Sequence, residues 1–66
     1  MTGAEFKQIR KQLGLSQVAM ASALGYLPNR IVVWRWEKGE RPIREPIARL
    51  ARLMVMQYEQ TRGVSP

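Results

Sequence analysis

Residues 29–42 read NRIVVWRWEKGERP, which gathers Arg30, Arg35, Lys38 and Arg41 around Trp34 and Trp36 in one short stretch. A guanidinium is a planar, permanently charged fork suited to phosphate and to the paired acceptors of a guanine edge, whereas a lysine ammonium acts on phosphate as a point charge. This is recognition chemistry. Bond-breaking chemistry has little to draw on, because the chain has no histidine and no cysteine, and its five acidic residues are all glutamates. Imidazole and thiolate metal sites, disulfides and the usual nucleophilic triads are therefore excluded. The sequence predicts a binding protein that is not an enzyme, uses no cofactor or metal and shows no sign of a small-molecule ligand.

The formal net charge of +6 and a pI of about 10.9 favour an anionic partner. Nucleic acid ranks ahead of an acidic membrane surface, since the basic residues are spread over several predicted helices with no single amphipathic basic helix. No uncharged apolar run approaches the roughly 18 residues that span a bilayer, and the first residues lack a basic-then-apolar signal pattern. The expectation is a soluble cytoplasmic protein. A chain of 66 residues predicts one domain with a thin core, burying only about 60% of the surface its unfolded form exposes, so a partner chain can add stability.

The cluster needs elements to position it, and the chain is punctuated for helices. Thr2 followed by Glu5 fits a capping box; Phe6, Ile9 and Leu13 then recur at helical spacing up to a stop at Gly14. Ser16 caps a second helix, with Leu15 and Met20 placed as a hydrophobic staple, Ala21 and Leu24 on its inward face and Gly25 as its end. Tyr26, Leu27 and Pro28 predict a turn, and Asn29 caps a third helix running to Lys38 with Gly39 as its stop. The β-branched residues 31–33 suggest a strand, but the capped segment ends in glycine like its predecessors and Val33, Trp36 and Glu37 share one helical face. At about 100° per residue that face leaves Ile31, Trp34, Arg35 and Lys38 outward, with Arg30 and Val32 on the flanks. Residues 40–43 are a connector. Glu45 and Pro46 then open a fourth helix reaching Thr61, with Ile47, Leu50, Ala51, Met54 and Tyr58 as its core stripe. Residues 1–62 form the domain and residues 63–66 a flexible tail.

LGLSQ at residues 13–17, ALG at residues 23–25 and RWEKG at residues 35–39 together resemble the helix-turn-helix of the Cro and phage-repressor class, the XRE-like regulators. The similarity covers residues 6–53. It implies an all-α bundle of four to five helices of the lambda-repressor-like type, with residues 30–38 as the recognition helix. The sequence departs from the family in a lengthened turn: pairing Trp36 and Glu37 with the family's structural aromatic and acid requires two extra residues within residues 26–29. In that register Asn29 falls at the cap, and the resemblance implies a buried ion pair between Arg10 and Glu37.

The same resemblance implies double-stranded DNA as partner. Arg30 and Arg35 occupy positions from which recognition helices reach bases, and Ile31 offers an apolar contact such as a thymine methyl. Each arginine can otherwise serve a phosphate or a solvated face. Trp34 either contacts DNA or packs on the turn around Tyr26 and Leu27. Gln17 meets the DNA backbone or supports the recognition helix, and Asn29, Lys38 and Arg41 suit backbone positioning.

One such unit reads few bases, and the family's remedy is a two-fold dimer on an inverted repeat with half-sites about 10 base pairs apart. Leu53 and Met56 lie off the core stripe and are the expected homodimer contact. The implied function is transcriptional repression, often of the protein's own operon, with phage and other mobile elements as typical bearers. Two alternatives stand beside it: an antitoxin whose C-terminal end binds a toxin, and a general nucleic-acid-binding protein without duplex sequence preference.

Overall fold

Three side chains that hydrogen-bond readily to nearby amides start the first three helices of the computed structural model. Thr2 Oγ1 accepts from the Glu5 amide at 3.1 Å while Glu5 Oε1 accepts from the Thr2 amide at 3.0 Å, completing a capping box. The Thr2 amide favours the charged carboxylate and holds the Glu5 carboxyl below its ordinary value. Its contribution is thus present above the usual carboxylate range and is lost as pH falls through the lowered value. Ser16 Oγ accepts from the Ala19 amide at 3.0 Å, and Asn29 Oδ1 accepts from the Ile31 amide at 2.9 Å.

The structure describes residues 1–63, with side chains through residue 61. Among these the chain is all-helical: α1 (Gly3–Gln12), α2 (Gln17–Ala23), α3 (Arg30–Lys38) and α4 (Ile47–Gly63), with no strand. The β-branched run lies inside α3, whose end is closed by Gly39 at φ 80°. There the Gly39 amide reaches the Trp36 carbonyl at 3.2 Å and the Glu40 amide reaches the Arg35 carbonyl at 3.0 Å, the paired bonds of a Schellman motif.

Packing follows the inward faces. α2 and α1 both lie on α3, and α1 also carries α4. Phe6, Met20, Ala21, Val33 and Ala51 are wholly out of water, with Leu24, Trp36, Ile43 and Ala48 completing the core. Trp36 sits edge-on to two rings, Phe6 of α1 and Tyr26 of the turn before α3, each at 5.4 Å between centroids. The connector contributes too, since Ile43 is one of its buried plugs.

Two boundaries and one face differ from the sequence expectation. α4 begins at Ile47, one residue beyond Pro46; Glu45 stays outside the helix, where its Oε2 accepts from the Arg49 amide at 2.9 Å. The helix continues through Gly63, the first residue of the expected tail, and residues 64–66 of that tail lie outside the described residues. Leu50 and Tyr58, expected in the core stripe, are 38% and 40% exposed, and Ala48 is buried in their place. Leu50 lies between Ala48 and Ala51 and points away from the face those two turn inward, whereas for Tyr58 the reason is coverage. α4 is 17 residues long, about 25 Å, against 10 residues, about 15 Å, for α1. The small Ala48 and Ala51 lie in the core at the α1 end, and residues 56–61 of α4 are all exposed. Among the described residues no helix is long and apolar enough to cross a membrane.

Of the glycines described, Gly3 alone is packed too closely to carry a side chain. A Cβ there would lie 2.5 Å from the Glu37 carbonyl oxygen and 2.6 Å from that of Trp36, both backbone atoms. Only a residue without a side chain lets the first turn of α1 meet the last turn of α3. Gly3→Ala is expected to cost about 1–3 kcal/mol, lowering Tm by something on the order of 5–20 °C in thermal unfolding followed by circular dichroism; an unchanged Tm would show that the contact gives way freely.

Candidate nucleic-acid interface

The outward face of α3 depends on what its inward face is tied to. Arg10 Nε donates to Glu37 Oε2 at 2.6 Å and its Nη2 to Oε1 at 3.5 Å, while Nη1 donates to the Leu15 carbonyl at 2.9 Å. Gln17 Nε2 donates to Glu37 Oε1 at 3.1 Å. The two charged side chains are only 13% and 6% exposed, and among the described residues no buried side-chain polar atom lacks a partner. This network joins α1, the residue before the Ser16 cap, the first turn of α2 and the end of α3. The Gln17 amide thus ties the first turn of α2 to the end of α3.

With Glu37 and Trp36 turned in, Ile31, Arg35 and Lys38 are exposed along the opposite side of α3, and Arg30 is exposed on its flank at the helix start. Arg41 is exposed just beyond the Gly39 stop. None of these four cations forms an ion pair among the described residues: the only carboxylate on α3 is held by Arg10, and the second ion pair of the fold joins Glu45 to Arg52 at 3.1 Å on α4's side. The face is therefore cationic and unneutralised along its length. Glu40 is the one exposed acid nearby, in the connector.

Trp34 is half-buried, and its face carries Lys38 Nζ at 5.5 Å from the ring centroid. A cation over an indole is attracted by the ring's negative face. The ring of Tyr26 in the turn before α3 packs against Trp36. Asn29 remains exposed, but its Oδ1 is committed to the cap, which leaves its amide N–H groups for any phosphate. Leu53 and Met56 are 42% and 53% exposed on α4, and Leu50 adds to them at three-residue spacing.

Sequence reasoning did not single out Leu27, which is 84% exposed at the tip of the turn. Its only signal in the sequence was its place in the expected turn of residues 26–28. A shallow cleft of about 260 Å³ runs between that turn and α3, lined by Tyr26, Leu27, Asn29, Ile31, Val32, Arg35 and Arg41. A larger hollow of about 470 Å³ lies behind it, between Tyr26, Trp36 and residues 41–47, away from the outward face of α3.

No protein-family model, curated protein or solved structure matches this chain.

Because Arg10 and Glu37 are nearly out of water, removing either partner strands the other. Arg10→Ala and Glu37→Ala are each expected to cost about 3–5 kcal/mol in denaturant unfolding, and the double variant distinctly less than the sum. Additive losses would mean that the two side chains act separately.

Proposed function

We propose that this protein is a sequence-specific DNA-binding regulator of the helix-turn-helix type, acting in the bacterial cytoplasm as a homodimeric repressor on an inverted-repeat operator. The observation that carries this reading is the outward face of α3, where Arg30, Ile31, Arg35 and Lys38 stand exposed with no acid among them. A B-DNA major groove admits one α-helix, and this helix is capped at both ends and held in register by the Arg10–Glu37 network. α2 and its turn support α3 from behind.

In this reading Arg35 forks onto a guanine edge, while Arg30, at the first helical position, reaches a base or the adjoining phosphate. Lys38 and Arg41 lie at and beyond the helix end, where they clamp phosphates and position the protein without reading sequence. The ring of Trp34 beneath Lys38 narrows where that ammonium can go. Leu50, Leu53 and Met56 supply the dimer contact, which sets the half-site spacing. Repression follows from occupancy of a promoter by the bound dimer.

The deciding experiment is selection of bound sequences from a random duplex library at physiological salt, with the mass of the complex measured alongside. An enriched inverted repeat carrying two chains supports the reading, and a selection without enrichment overturns it. On the selected duplex, Arg35→Ala is expected to lose its preference over random DNA while keeping weak, salt-sensitive binding. Lys38→Ala is expected to weaken all sequences alike and to reduce the slope of log K against log salt by about 1. Equal losses on selected and random DNA for Arg35→Ala would assign that arginine to the backbone instead.

A further inference from the structure

Leu27 is displayed by a turn that is built to hold it. The Tyr26 amide donates to the Ala21 carbonyl at 2.9 Å, the Tyr26 ring packs against Trp36, and on the other side the Asn29 amide donates to the Leu27 carbonyl at 2.7 Å across Pro28. That last bond spans two residues, the pattern of a γ-turn, whose common form has a central φ near the value to which proline is locked. The backbone is thus fixed on both sides of a side chain that is 84% exposed, the most exposed large apolar residue of the described chain. Leu27 is in neither the core nor the set of residues packed against it. It faces the cleft together with Ile31, and Arg35 and Arg41 close the rim with no carboxylate in the lining.

An apolar wall beside two guanidinium groups selects its occupant by chemistry. On the major-groove edges of the four bases, the C5-methyl of thymine is the one apolar group, and guanine offers the acceptor pair that fits an arginine fork. Ile31 and Arg35 are four residues apart, about 6 Å along α3, against about 3.4 Å per base-pair step. The wall and the fork therefore address bases within two steps of one another, while Arg41 on the same rim is placed for the phosphate. We propose that Leu27 and Ile31 form a thymine-methyl subsite, so that the lengthened turn adds a required thymine within two base pairs of the guanine read by Arg35. This rests on the DNA-binding reading above. It also separates the occupant from RNA, which carries uracil and closes its major groove to side chains.

The test uses the duplex recovered by selection, with each thymine replaced singly by deoxyuridine, which removes the methyl and nothing else. Affinities are measured at one salt concentration for the native protein and for Leu27→Ala. The expected result is one position per half-site where uracil weakens the native protein about fourfold, and the same substitution has little effect on Leu27→Ala. Leu27→Ala should keep the native melting temperature, because the side chain leaves the core untouched. A uracil penalty below about 1.5-fold at every position, on a duplex still bound sequence-specifically, overturns the subsite and leaves the DNA-binding reading standing. A penalty that survives in Leu27→Ala and vanishes in Ile31→Ala removes Leu27 from the subsite. A library that yields no enriched duplex overturns both readings together, and the cleft then belongs to a different occupant.

Discussion

The ion pair between Arg10 and Glu37 is the constraint on which the rest of the molecule depends. Two charges that are 13% and 6% exposed stay charged at acceptable cost only while each faces the other and their remaining hydrogen bonds are met. Arg10 meets this condition with three donors directed at Glu37 and the Leu15 carbonyl, and Gln17 completes the carboxylate. A rotation of α3 by one residue, about 100°, would carry Glu37 away from Arg10 and Trp36 away from Phe6 at once. The interaction that satisfies a buried arginine therefore also determines which residues α3 presents outward.

Around that constraint the core is thin and closes by close approach. Gly3 lets two backbones meet where no side chain fits, and the residues that α4 buries fully are the small Ala48 and Ala51, flanked by the partly buried Ile47 and Met54. Small contacts of this kind bring helices together but cover little area. A chain of this size then has more apolar residues than it can enclose; besides Val18 and the two tyrosines, the exposed ones lie along α4 at Leu50, Leu53 and Met56 and beside α3 at Leu27 and Ile31. In the proposed function these are the surfaces that meet a second copy and the DNA.

The outward face divides its work along its length. Arg30 and Arg35 stand at the start and middle of α3, and Lys38 and Arg41 at and beyond its end, so that in the proposed function the forks face the bases and the last two cations the phosphates. Placing cations near the helix C-terminus also complements the negative end of the helix dipole. The charge that suits an anionic partner thus costs the isolated helix little.

The caps at Thr2, Ser16 and Asn29 and the positive-φ glycines at 14, 25 and 39 were legible because each acts through hydrogen bonds or dihedral preferences spanning a few residues. The inward turn of Trp36 and Glu37 was legible as well, since the 3.6-residue period and the ion pair with Arg10 that the resemblance implies point the same way. The close approach at Gly3, the choice of Gln17 for Glu37, the exposure of Leu50 and the display of Leu27 were not. Each depends on which distant element arrives at that point, and on how far α1 extends beside α4. Sequence alone thus determined the caps and stops of the first three helices and which way α3 faces, but not the bounds of α4. Only the tertiary structure decided what each face meets, because burial is a property of neighbours brought together from far along the chain.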